Sequence, residues 1–428
     1  MTSADTLLDR PSPRLIVADA LLALAAGWLL YWLSCSLLAP HDVVHGQFAS
    51  DWQRMSVDPL SFPGSLPHRI LVPFLAWAFG CGGEGYVAFV RGLNVLLLAS
   101  AFFAVRRLGG RYLDGLLVAA AIAITAPVQL YKQHWVGYTD PICYTLFIWM
   151  MLVARSPYVF WALFLTNLMN HELAGFLLPW LWYLRRREDQ RWRLDLVCIA
   201  VTCGLYLAYY FWVKANVNQT YSIDYFMSHP LFPGGSFAVW NLAAVHLTCT
   251  FGPVLALLAW HQHARGERGE RWHLWLVSLG VLVIFCIAFD WARHSNLILL
   301  PLIVAGTRFL ARGNNNRLLF IGLLGLTLFL FWLVPPWSAT AWPTNVFFHG
   351  TDAWRATHPD KLFLVEIGVL LPQVGPGGVV NIGFGSLATV LGEWVPRIWK
   401  PLAVVHAIGI TIWCAGWGWA RYQNRATS

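Results

Sequence analysis

Residues 157–187, PYVFWALFLTNLMNHELAGFLLPWLWYLRRR, decide how the chain is threaded. The run is apolar up to Leu184 and lies between Arg155 and the arginine cluster 185–187. Arginines beside short apolar runs stay on the cytoplasmic side of a membrane. A single crossing would separate the two clusters and reverse every later loop. Two short helices meeting near Asn170-His171-Glu172 keep both clusters on one side, and this is the predicted arrangement.

The same rule, applied outward, lays the rest of the chain across a membrane. Arg10 and Arg14 precede the apolar run 15–39, so the N-terminus is expected in the cytoplasm. That run is too long for a signal peptide and lacks a cleavage site, so it reads as an uncleaved anchor. Segment 40–84 then lies outside, with its apolar part HRILVPFLAWAF (68–79) too short to cross and read as an interfacial helix. Further spans are expected at 85–105, 112–130, 139–154, 194–213, 237–260, 272–289, 295–310, 318–334 and 401–419. The expected fold is a single all-α polytopic transmembrane bundle, 1–428, of about 12 membrane segments with both termini inside. Long extracytoplasmic loops fall at 40–84, 214–236 and 335–400. Within the last, the apolar stretch 362–395 is broken by Pro372, Pro376 and neighbouring glycines, and reads as interfacial or re-entrant.

Composition agrees with lipid as the solvent. The chain is 58% hydrophobic and 12% charged, where soluble domains carry about 25% charged residues. Its 25 tryptophans suit the boundary between hydrocarbon and water. The net charge of +8 comes from arginines in short turns, which marks topology and not a nucleic-acid surface. The eight cysteines form no CxxC pair and lie mostly in apolar runs, so neither a disulfide framework nor a metal site is expected.

Acidic residues near hydrocarbon carry the chemistry, because an unpaired carboxylate there is costly. The first outer loop holds Asp42, Asp51 and Asp58, with Arg54, His68 and Arg69 among them; Asp51, Arg54 and Asp58 share a face if that stretch is helical. A carboxylate there either activates an acceptor hydroxyl or is an ordinary loop charge. Asp140, in GYTDP, is a second outward carboxylate, a helix start, or both. His171-Glu172 binds a ligand, or Glu172 pairs with a nearby arginine. One His-Glu without a second histidine is no zinc-protease motif. In FDWARH, Arg293 offers paired donors to a phosphate, or forms an ion pair with Asp290. No serine-protease motif and no phosphate-binding glycine loop is present.

With this layout, residues 15–185 resemble the GT-C superfamily of polytopic glycosyltransferases. The resemblance runs from the first span and its acidic outer loop through HRILVPFL and FVRGLNVLLLASAFFAVRRLGGR to Ala126-Pro127 and GYTDP. NLMNHELAGFLLPWLW resembles that superfamily's break between short helices, with His171 where a lysine is usual. The tandem acidic pair of many members is absent. SDWQRM followed by Asp58-Pro59 is similar to the mannosyltransferase branch.

The resemblance implies sugar transfer from a polyprenyl-phosphate donor to a glycan, lipid or protein acceptor on the outer face of a plasma (inner) membrane. Asp51 would be the catalytic base and Asp42 its rival; Arg54, Asp140, His171, Glu172, Asp290 and Arg293 would bind substrate. The donor is the only small molecule implied; a divalent metal is not indicated, and nucleic acid is no partner. Residues 186–428 would add further transmembrane helices. The alternatives are a transporter or flippase for a lipid-linked substrate, which would need Glu172 and Asp290 but not Asp42 or Asp51, and a membrane assembly factor with no essential carboxylate. A polysaccharide polymerase using a pyrophosphate-linked donor is the nearest enzymatic alternative.

Overall fold

Backbone polar groups have no partners in hydrocarbon except one another, so apolar runs of this length become helices. The computed structural model describes residues 13–37, 47–61, 66–133, 137–188, 191–217, 252–255, 257–266, 268–285, 294 and 296–333. All of them belong to one compact unit, Met1–Leu231 with Thr250–Ala341; a second unit, Phe232–Cys249 with Trp342–Ser428, lies outside the described residues. No strand occurs among the described residues. Three helices are long and apolar enough to cross a membrane, Leu15–Leu37, Gly83–Arg107 and Trp192–Asn216, and Tyr112–Ala123, Asp140–Leu152 and Asn296–Ala311 are apolar but shorter. Leu21, Trp28 and Trp32 on the first long helix and Val201, Leu205 and Phe211 on the third are exposed. A water-covered surface rarely carries apolar flanks of this kind.

Helix α1 (Pro13–Leu37) packs on α4 (Tyr86–Arg107). They run antiparallel, with Asp19 paired to Arg106 at one end and Gly27 against Val95 and Ala99 further along. Ala23, Ala26 and Ala99 join a core with Phe102 and Phe103, so small side chains let the backbones approach. A Cβ on Gly27 would sit 2.6 Å from the Val95 carbonyl oxygen and 2.8 Å from the Ala99 nitrogen. Gly27→Val is therefore expected to cost about 1–3 kcal/mol by overpacking, read as a lowered melting temperature in detergent.

Between these two helices come α2 (Gln47–Met55) and α3 (Leu71–Ala78). Helix α3 is eight residues long, in keeping with a segment too short to cross. The span expected at 112–130 is two helices, α5 (Tyr112–Ala123) and α6 (Ala126–Gln133). Pro127 interrupts the ladder, and the Gln129 side chain donates to the Ala123 carbonyl, 2.5 Å, which the break would leave open. Helix α7 (Asp140–Leu152) packs between α4 and α8 (Pro157–Asn170).

The deciding stretch divides as expected. His171 is extended, at φ −159° and ψ 121°, and ends α8. Residues Glu172–Leu177 wind as a 3-10 segment before α9 (Leu178–Glu188). Pro179 accounts for the change of winding, because inside a longer α-helix its ring would meet the carbonyl of Gly175. The stretch returns to where it began: Arg155 Nε lies 3.2 Å from Glu188 Oε2, and the Arg185 guanidinium donates to the Ala154 carbonyl. Helix α10 (Trp192–Asn216) then runs along α8. Helical residues 257–265 (α11), α12 (Arg268–Phe285), α13 (Leu299–Ala311) and α14 (Asn314–Leu333) complete the described part.

One end of this bundle is an arginine end. Arg185 Nε donates to Asp195 Oδ1 at 3.0 Å, where Trp161 Nε1 also donates at 2.8 Å. Arg317 Nε donates to Asp114 Oδ1 at 2.7 Å, and Arg106 meets Asp19. Acidic residues are thus not confined to the opposite end, and several arginines that mark topology in the sequence also hold buried partners here.

Just past the apolar run that closes at Trp260, His261 Nε2 lies 2.7 Å from Arg312 Nη1. Arginine only donates, so that nitrogen accepts. Burial first, then the charges of Arg312 and Arg265, push His261 from 6.5 down to about 4. The unfolded chain takes up this proton near 6.5 and the folded one does not. Its contribution is therefore intact above that pH and is lost progressively as the pH falls toward 4. His261→Gln should flatten this part of a plot of melting temperature against pH.

Candidate active site at the far end of the bundle

Helix α7 is about 20 Å long at 1.5 Å per residue, so its start lies at the end opposite the arginines. The turn that feeds it needs glycine. Gly137 has φ +93°, and a Cβ there would come 2.8 Å from the Ala49 Cβ of α2. Tyr86 donates to the Gly137 carbonyl at 3.1 Å, and Trp52 of α2 meets Tyr138 edge-on at 5.2 Å between ring centroids. Asp140 is the first residue of α7 and is buried, with Pro141 behind it. A carboxylate in a first turn is favoured by the helix dipole, but the N-cap position belongs to Thr139, so Asp140 does not cap the helix as expected from Asp before Pro. Packed on this turn, α2 carries Asp51, whose carboxylate accepts from the Arg54 guanidinium. Asp51 is 13% exposed and Arg54 66%.

Asp58 does not share that face. Helix α2 ends at Met55, and the Asp58 carboxylate instead accepts from the Leu60 amide at 3.3 Å in the following turn. The backbone of Gly82 packs against Ser56, and Ser56 Oγ accepts from the Gly83 amide at 2.9 Å, so another helical turn has no room.

The break at His171 abuts the same region. Asn170 Nδ2 donates to the Thr139 carbonyl at 3.2 Å, which ties the end of α8 to the start of α7. Glu172, the next residue but one, reaches the segment before α3. Arg69 Nε donates to Glu172 Oε2 at 2.9 Å, and Arg69 Nη2 bonds the other carboxylate oxygen. His68 Nε2 lies 3.3 Å and His171 Nδ1 3.5 Å from Glu172 Oε2. The same His171 nitrogen accepts from the Leu173 amide at 3.3 Å. The His68 ring stands edge-on to Tyr210 of α10, and the His171 ring edge-on to His294.

Burial alone would raise the Glu172 carboxyl. The Arg69 charge, with His171 and His68, overrides it and holds the group well below the usual carboxylate range. Glu172 keeps 36% of its side chain accessible, whereas His68, Arg69 and His171 keep 7%, 6% and 2%. An accessible carboxylate thus sits on a buried basic floor. His68 Nδ1, on the ring beside it, and elsewhere Thr139 Oγ1, Asn170 Oδ1 and both polar atoms of Asn296 are buried with no hydrogen-bond partner among the described residues. Buried polar atoms left in this way are normally met by water or ligand.

The structure therefore gathers Asp51 and Arg54, Asp140, and His171 with Glu172 at one end, from three separate parts of the chain. Asp42, Asp290 and Arg293 lie outside the described residues, as do most of the expected loops 214–236 and 335–400. Of the two readings of Glu172, pairing with an arginine is observed. Its partner Arg69, with His68, stands in the sequence among the charged residues of the first outer loop, at the head of an apolar run. Nothing in the spacing pointed across the chain to residue 172. Among the described residues, no group of three or more His, Cys, Asp or Glu is placed to hold a metal ion. No family model, curated protein or solved structure matches the chain.

Proposed function

We propose that this chain is a multi-pass glycosyltransferase of GT-C type. It would use a polyprenyl-phosphate-linked sugar and act on the extracytoplasmic face of the plasma membrane. About 12 segments would cross or enter the bilayer, with both termini cytoplasmic. One observation carries the reading. Three candidate carboxylates, far apart in sequence, lie at the end of the bundle away from the arginine turns. Arginine turns belong to the cytosol, so that end faces out, where a lipid-linked donor would present its phosphate and sugar.

In this scheme the Asp51 carboxylate takes the proton of the acceptor hydroxyl. The acceptor oxygen forms a bond to the anomeric carbon, and the bond from that carbon to the phosphate oxygen breaks with its electron pair. In-line displacement inverts the anomeric configuration. Fixed donors beside the departing phosphate lower the barrier, because charge develops there. Holding donor and acceptor in line adds a comparable contribution.

Proteoliposomes supplied with a radiolabelled polyprenyl-phosphate sugar test this. Label should pass into a new glycoside. Label that crosses the bilayer still attached to its prenyl phosphate would instead identify a flippase. In a cysteine-free background, Asp58→Cys and Arg186→Cys should react with an impermeant reagent from opposite sides. Reaction from one side would remove the orientation on which the reading stands.

A further inference from the structure

Arg69 is nearly buried and carries a permanent charge. A buried guanidinium without an anion is strongly destabilising, so something negative must face it at all times. In this structure that anion is Glu172, bound through both carboxylate oxygens. A paired fork of this kind fits carboxylate and phosphate alike. Glu172 is also the most accessible member of its cluster, at 36%, so it lies between the basic floor and anything that approaches. It opens a 3-10 segment directly after an extended residue, where the helical ladder is interrupted, so its side chain can swing aside without breaking an α-helix.

We infer that Glu172 is a built-in stand-in for a phosphate: it fills an anion site made by Arg69 and His68, and a phosphate monoester displaces it. For its choice of a prenyl phosphate as the ligand this rests on the glycosyl-transfer reading; the anion site itself does not. A carboxylate that competes in this way lowers apparent affinity by the fraction of molecules in which the site is free. It also keeps Arg69 paired when no ligand is bound.

The test uses the purified full chain in detergent, titrated calorimetrically with farnesyl phosphate, inorganic phosphate and farnesol. Glu172→Gln should bind farnesyl phosphate about tenfold more tightly than the unaltered chain, with farnesol unchanged. Adding Arg69→Gln should abolish that gain. Glu172→Gln leaves Arg69 without its anion, so if it does not fold by itself it is refolded with inorganic phosphate or farnesyl phosphate: recovery of folding with either upholds the inference, and no recovery with both overturns it. Equal or weaker phosphate binding by Glu172→Gln, or an equal gain for farnesol, overturns the inference. A gain for inorganic phosphate alone upholds it and makes free phosphate the ligand. Tighter binding in a protein that transfers no sugar would keep the anion site and discard the glycosyltransferase reading, so the two fail separately.

Discussion

Asp51→Asn should lower sugar transfer by about 10²- to 10⁴-fold, the range supplied by a positioned general base. Insertion and folding should be unchanged. The amide is isosteric and still accepts from Arg54, itself 66% exposed. An ion pair whose arginine lies largely in solvent contributes about 1 kcal/mol or less. The stability of α2 rests instead on Trp52 and Met55, which are fully buried. The measurement is the initial rate of transfer together with the melting temperature. A lost rate with an unmoved melting point marks chemistry. Asp140→Asn provides the contrast, since its residue is buried at a helix start and both quantities should fall. Full turnover by Asp51→Asn would transfer the role of base to Asp42.

The largest effect on stability is expected at the opposite end. Arg185 and Asp195 are both fully buried, and the pair joins α9 to α10 while Trp161 ties it to α8. Arg185→Met strands the Asp195 carboxylate and should cost about 3–5 kcal/mol. Asp195→Asn strands the arginine and should cost a similar amount. The double variant Arg185→Met/Asp195→Asn removes both charges and keeps an acceptor for Trp161. It should melt above either single variant, because hydrophobic replacement of a buried pair is often nearly neutral. A double variant no more stable than the worse single one would show that the cost lies in losing the pair's own bonds between the helices and not in a stranded charge.

Much of the helical layout was legible because its signals are local. An apolar run of given length between arginines is read without knowing what it touches. Helices Pro13–Leu37, Tyr86–Arg107 and Trp192–Asn216 fall where they are expected, as does the break at His171. The shorter departures have local causes whose strength the pattern did not show: Pro127 divides one expected span, and the loop packed on Ser56 stops α2 before Asp58.

By itself the sequence determined that the chain is helical, has the apolar runs of a membrane protein, and turns back on itself between residues 155 and 188. Hydrophobic length, proline and arginine act on their own neighbourhood, so one dimension contains them. Only the tertiary structure decided that Glu172 answers to Arg69 and His68, about a hundred residues earlier, and that Asp195 answers to Arg185. Pairing across a bundle depends on which helix faces meet, and the need of a buried charge for a partner does not say where in the chain that partner will be found.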